Sequence, residues 1–280
     1  MFCRSSLAGQ NKEELPEMKR SELLLSFDIE EFDLPEEYGA SIADQDKFEI
    51  SRLGTETILD VLDDTRAKAT FFVTGRFAER YPELIIRMVN TGHEVASHGM
   101  DHSRFEVSHL KESKELLEKL SGKDVTGFRM ARLAEVEKQQ IKDAGFIYES
   151  SLNPVWLPGR YCNITAPCKP FRESCGLWQF PVSAIPVIRF PLFWLSFKNL
   201  PLPVYKLATV ITLAMTHCYN MYSHPWEYVK ESKEKRWNIP GYVVRHAGKQ
   251  QAERLKELII FLKSKGEFIT FQQYLAQREH

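Results

Sequence analysis

No CxxC pair, no excess of either charge and no long uninterrupted apolar run occur in this chain. Each absence removes a class of function. The 37 basic and 38 acidic residues leave a net charge of -1, so there is no electrostatic footprint for nucleic acid. The five cysteines, Cys3, Cys162, Cys168, Cys175 and Cys218, are odd in number. Their spacings are irregular and no histidine pair lies among them, so they read as free thiols of a reducing compartment. The most apolar stretch, 185–215, is broken by Arg189, Lys198, Lys206 and four prolines. It falls short of the roughly 20 apolar residues that span a bilayer. Residues 1–20 lack the apolar core of a signal peptide and read as a polar, disordered tail, with Met18 a candidate translation start. The reading is a cytoplasmic protein in which residues 21–280 form one catalytic domain.

What is present is a rhythm of strands and helices without internal repeats. A short apolar run at 23–28 ends in acids. Residues 55–63 carry helical spacing and lead into a β-branched, aromatic strand at 69–73. Pro82 sits where a first-turn proline belongs, opening a helix that stops at Gly92. Residues 94–97 form the next strand, and Ser108 reads as the N-cap of a helix over 110–120. Strands at 125–129, 146–148, 177–182, 219–223 and 267–271 follow, with helices at 135–144 and 247–265. This alternation predicts a parallel sheet covered by helices, open or closed into a barrel. Asp28, Glu30, His98, Arg129 and His224 all fall at strand ends, on the rim where such folds build their sites.

The two histidines in Ser97-His98-Gly99-Met100-Asp101-His102 lie four apart, a spacing that on one helical turn faces them the same way. Two imidazoles and a carboxylate leave open positions on a zinc-type cation, the pattern of a catalytic site; a surface pair is the alternative. Asp28 and Glu30 are two apart, so on an extended backbone both point to one side. One can bind metal while the other acts as a base, or both can simply solubilise a strand end. Asp101 either orients an imidazole or faces solvent, and His93 and His109 are assigned no role. His224, held between Ser223 and Pro225-Trp226, is placed to protonate a leaving amine, or is a packed histidine. Arg129 is placed to grip a strand-end carboxylate, or is a surface arginine.

These motifs, in this order, resemble the polysaccharide deacetylases of the NodB-homology group, carbohydrate esterase family four, from about Leu23 to Phe271. Phe27-Asp28-Ile29-Glu30 stands at the first motif, Gly92 to His102 at the metal-binding motif, Phe128-Arg129 at the arginine motif and Ser223-His224-Pro225-Trp226-Glu227 at the last. The resemblance implies an α/β fold, a distorted (β/α)7 barrel. It implies metal ligands Glu30, His98 and His102, with Zn2+ first and Co2+, Ni2+ or Mn2+ as alternatives. Asp28 would take a proton from metal-activated water, Arg129 would hold Asp28, and His224 would protonate the sugar nitrogen.

The implied partner is an N-acetylated sugar or carrier-linked saccharide. The Tyr148 to Pro154 segment and the tryptophan-bearing last motif are similar to an intracellular surface-polysaccharide biosynthesis branch. Departures are plain: glutamate replaces the usual aspartate ligand, one residue further from the base. The arginine motif lacks its proline and aromatic, weakening any oxyanion role for the Arg132 amide, and no acid that would orient His224 is visible near 178–180. Two other readings remain, a metal-dependent amidohydrolase of a small non-sugar amide and an inactive carbohydrate-binding relative. Trp156, Trp178, Trp194 and Trp226 are divided between sugar platforms and ordinary core. In 185–215, Phe190, Leu192, Phe193, Trp194, Leu195 and Phe197 look too crowded to face inward together. That segment is expected either to cover the barrel mouth and contact the lipid portion of a carrier-linked sugar or the cytoplasmic membrane beside it, or to be a buried cover for one barrel edge.

Overall fold

The computed structural model describes residues 20–157 and 161–278; Cys3 and all but the last residue of the expected N-terminal tail lie outside them. The first strand, β1 (Ser21–Ile29), is buried on both faces and its side chains sort by parity. Leu23, Leu25, Phe27 and Ile29 join the main core under the helices, while Leu24 packs on the other side with Phe72, Ala96 and Tyr148. Ser26 and Asp28 share the side of Leu24, so the strand carries polar groups into the interior of the curled sheet. After it come α1 (Leu34–Glu37), α2 (Asp44–Thr65), β2 (Thr70–Val73), α3 (Gly75–Arg80), α4 (Pro82–Asn90), β3 (Glu94–Ser97) and α5 (Ser108–Ser121). Short elements follow: β4 (Gly127–Phe128), α6 (Lys138–Asp143), β5 (Tyr148–Glu149), β6 (Trp156–Leu157), β7 (Tyr161–Cys162), β8 (Phe171–Arg172), β9 (Trp178–Gln179), β10 (Ala184–Ile185) and β11 (Phe190–Pro191). The chain ends in α7 (Trp194–Asn199), α8 (Leu202–Thr216), β12 (Cys218–Ser223), α9 (Lys249–Leu262), β13 (Gly266–Phe268) and α10 (Phe271–Ala276).

The main sheet runs β12-β1-β2-β3-β4-β5-β9-β8, with β13 also beside β1. All its pairings are parallel except β8 on β9. The sheet curls without a continuous closing ladder. Its seam is bridged just beyond β9, where the Ser183 amide donates to the Asn220 carbonyl at 2.9 Å and the Asn220 amide to Ser183 Oγ at 2.8 Å. The fold is the distorted barrel of the NodB type that the motif order implies.

One end of the barrel is plugged. Phe271 of α10 stacks on Tyr148 at 5.3 Å and meets Phe180 edge-on at 4.8 Å. Tyr148 and Thr70 donate to the two oxygens of buried Glu94 at 2.6 and 2.7 Å. The opposite end, where the parallel strands finish, is left for chemistry.

Three expectations are corrected. The strand read over 267–271 stops at Phe268, and Thr270 caps a helix, α10, instead. Residues 98–102 form a loop rather than a helical turn. In 185–215 the aromatic crowd turns mostly inward: Leu192, Phe193 and Phe197 are buried, Trp194 and Leu195 half-buried. They can do so because the hairpin strand β11, the link after it and the helix α7 share them, rather than one helix or strand. No helix among the described residues is long and apolar enough to cross a membrane.

Candidate metal centre and catalytic site

Three buried side chains converge from the ends of β1 and β3, which flank β2 in the sheet, and from the loop after β3. Glu30 follows β1, His98 follows β3, and His102 lies on the loop after it. One ligand atom from each falls within 4.8 Å of the others. Glu30 Oε2 stands 3.3 Å from His98 Nε2 and 2.9 Å from His102 Nε2. The loop is pinned by the start of α3, whose Gly75 and Arg76 amides donate to the Gly99 and Met100 carbonyls at 2.9 and 3.0 Å. Gly99, at φ +83°, supplies the turn that a helix would not have.

The donor chemistry fits a divalent cation. His98 Nδ1–H donates to the Arg129 carbonyl at 2.8 Å and His102 Nδ1–H to Asp33 at 2.9 Å. Both bonds fix the tautomer that turns an Nε2 lone pair toward Glu30. His98 Nε2 is buried with no hydrogen-bond partner. Burial alone would lower the His102 pKa, but Glu30 and Asp33 outweigh it and push it up to about 10. Burial would raise Glu30, yet His102 and His224 hold it well below the usual carboxylate range.

Asp28 lies one side-chain pair back along β1, inside the barrel. Arg129, fully buried, donates to it at 2.6 Å, to Ser26 Oγ at 3.0 Å, and to the carbonyl and hydroxyl of Ser150 at 2.9 and 2.8 Å. Its guanidinium lies 4.0 Å over the Phe72 ring. The arginine is therefore an internal strut, not a surface residue, and it fixes one oxygen of Asp28.

His224 follows β12 and is boxed by Trp226, stacked at 5.3 Å, and by Trp194 and Tyr222 edge-on at 5.3 and 5.5 Å. Its Nδ1–H donates to Glu227 at 3.0 Å, so Nε2 is the free nitrogen. Burial would lower its pKa, but Glu30, Glu227 and Asp28 hold it above the ordinary value. Glu227 is itself paired at 3.0 Å with Lys198 of α7, another fully buried charge. Burial would raise Glu227, yet Lys198 and His224 keep it low; burial lowers Lys198 despite Glu227.

The structure thus brings together Asp28, Glu30, Arg129, His98, His102 and His224, and it adds residues the sequence reading missed. The acid against His224 is Glu227, three residues on within the same motif, and not a residue near 178–180. Its signal was the capping-box spacing from His224 to Glu227, whose carboxylate also accepts the His224 amide at 2.9 Å. Asp33, not Asp101, orients an imidazole; Asp101 pairs with Arg76 and accepts the Ser103 and Arg104 amides. Glu31 accepts from the Thr74 hydroxyl and the His102 amide. Arg132, at φ +56°, sends its side chain to Asp33, Glu37 and the His102 carbonyl. Of the tryptophans, Trp226 is buried against His224, Trp178 packs on Phe180, Trp194 lines the pocket and Trp156 is exposed. The pocket over these groups is narrow, about 80 Å³, and a groove of about 670 Å³ shares its Arg132 and Leu133 walls.

Residues 46–146 match the polysaccharide deacetylase family, a span that holds His98, His102 and Arg129 but not Asp28, Glu30 or His224. A chitooligosaccharide deacetylase of Sinorhizobium fredii is 56% identical over 48 residues, 17% of this chain and 22% of that protein. The match thus spans about a fifth of that relative. A solved Mycobacterium smegmatis structure assigned to the polysaccharide deacetylases aligns over 94% of this chain and 91% of its own, with TM-score 0.64 and 18% identity. The PuuE allantoinase aligns over 92% and 90%, with TM-score 0.62 and 16% identity. At these identities the structural likeness is one of fold.

Proposed function

We propose that this chain, whose residues 46–146 belong to the polysaccharide deacetylase family, hydrolyses the N-acetyl group of an amino sugar in a metal-dependent reaction. One observation carries the reading: two held acid–base groups, Asp28 gripped by Arg129 and His224 gripped by Glu227, line the same pocket as Glu30 and His102. A divalent cation held by Glu30, His98 and His102 would supply Lewis-acid polarisation of the amide carbonyl.

The narrow cavity takes the acetamido end, and the adjoining groove takes the body of the saccharide. Asp28, with one oxygen fixed by Arg129, removes a proton from the attacking water through the other. His224 passes a proton from Nε2 to the departing sugar nitrogen, while Glu227 stabilises the imidazolium. The water oxygen ends in acetate and the nitrogen leaves as a free amine. The finer reading, surface-polysaccharide assembly, is supported by the likeness of residues 148–154 and 223–227 to the biosynthetic branch.

The test is acetate release from N-acetylglucosamine oligomers by zinc-loaded protein. Asp28→Asn should lower turnover by about 10²-fold or more while keeping its metal, the usual scale for a positioned base. Loss of metal in that variant would reverse the roles of Asp28 and Glu30. Stoichiometric metal with ring opening of a ureide and no acetate would give the small-amide reading. No stoichiometric metal would leave a binding protein.

A further inference from the structure

We propose that the outward face of α8, with the tip of the β10–β11 hairpin, docks this protein on an anionic lipid bilayer. Val204, Leu207, Ile211 and Met215 follow one another at helical spacing and are 49%, 61%, 41% and 43% exposed. Pro203, Val210 and Ala214 fill the rest of that outward half. The one cation of the helix, Lys206, is drawn to its edge by Glu257 and the Phe261 ring. A helix as apolar outside as inside needs a cover. The hairpin that packs against α8 extends the surface, with Val187 77% and Ile188 67% exposed at its tip. Arg189, between them and Phe190, turns inward to the Ala166 carbonyl at 2.7 Å. The tip therefore presents aliphatic side chains while its only charge is tied down.

Charge identifies the occupant. No Asp or Glu occurs between Glu173 and Glu227 in a chain with 38 of them. At the C-terminal end of α8, Arg20, Lys169, His217 and Arg278 line one notch of about 460 Å³, whose single carboxylate, Glu22, is held by Arg278 at 2.7 Å. A second copy docking antiparallel through this face would set that notch against the start of α8, where residues 174–226 offer no carboxylate to answer its cations. An apolar face flanked by cations suits lipid with anionic headgroups. Fifteen residues of α8 measure about 22 Å, enough to lie in the interface and too short to span it. None of these residues belongs to the catalytic site, so the proposal stands apart from the deacetylase reading.

The experiment is co-flotation of the full chain with phosphatidylcholine vesicles, with and without phosphatidylglycerol. Binding should require the anionic lipid and weaken with salt. Val187→Asp with Ile188→Asp, and separately Leu207→Glu with Ile211→Glu, should each cut partitioning by about 10-fold or more. These exposed positions should leave thermal melting and hydrolysis of a soluble substrate unchanged, which separates lost docking from lost folding. Failure of the unaltered protein to bind anionic vesicles would overturn the proposal. So would a stable dimer that the same substitutions dissociate, which would make the face a subunit interface.

Discussion

Lys198, Glu227 and His224 form a line of buried charges in which each holds the next. The central carboxylate is the part on which the imidazole depends, because it fixes the proton on Nδ1 and stabilises the cation that forms when Nε2 accepts one. Glu227→Gln preserves size but offers an amide that can present the wrong atom to Nδ1. Its kcat should fall by about 10³-fold with metal content unchanged, and its pH–rate profile should lose the limb belonging to His224. An unchanged profile would reduce Glu227 to a structural cap. These residues mark how far the site was legible. Asp28, Glu30, His98, Arg129 and His224 stood at strand ends with chemistry of their own, His102 was marked by its spacing from His98, and Glu227 sat in plain view at capping-box spacing. Lys198 was not legible, because it arrives from an apolar segment whose path only the folded chain reveals.

His93, assigned no role in the chemistry, titrates for stability. Burial and the nearby Lys68 lower its pKa to about 4, and its Nδ1 accepts the Ala69 amide. A histidine kept neutral in the fold binds its proton first in the unfolded chain. Its contribution is therefore complete above the ordinary histidine value of about 6.5 and is lost as pH falls toward 4, by about 3 kcal/mol. His93→Asn can keep an acceptor for Ala69 and has nothing to titrate. Urea midpoints at neutral and acid pH should converge in that variant relative to the unaltered protein. Equal acid sensitivity in both would show that other groups carry the loss.

At the scale of elements, α2 decides where the last motif sits. A Cβ on Gly54 would fall 2.0 Å from the Pro225 carbonyl oxygen, so helix and turn touch backbone to side-chain-free backbone. Gly54→Ala must push the turn carrying His224 away from the barrel rim. The expected result is a destabilisation of about 1–3 kcal/mol with a larger fall in kcat than in substrate binding, read by calorimetry and steady-state kinetics. Unaltered kinetics would mean the turn yields without moving His224. Where local sequence alone sets an element, the reading was close: β3 spans Glu94–Ser97 and α4 starts at Pro82. Where tertiary pairing sets it, the reading overran, since β4 and β9 keep only two residues of longer β-like stretches. The helical turn assumed for His98 and His102 failed at Gly99, and α10 was missed although Thr270 and Gln273 make a capping box.

At the scale of the whole molecule, the candidate cation cradle joins the end of β1 to the loop after β3, and Arg129 ties both to β4 through the His98 and Asp28 bonds. Without a cation, Glu30 relies for countercharge on the imidazoles of His102, His98 and His224, and Asp33 on His102 and Arg132. A ligand that binds only the folded arrangement adds its binding free energy to global stability, about 4 kcal/mol at a thousandfold excess over Kd. For a domain of this size each kcal/mol moves Tm by about 2–4 °C. Zinc-loaded protein should therefore melt roughly 10 °C above the same protein treated with chelator. His98→Ala should melt at one temperature in either condition, because two remaining ligands hold the cation too weakly. Calorimetry with and without chelator reads both arms without any substrate. A chelator-insensitive Tm in the unaltered protein would show that this cluster does not hold a structural share of the fold through a bound cation.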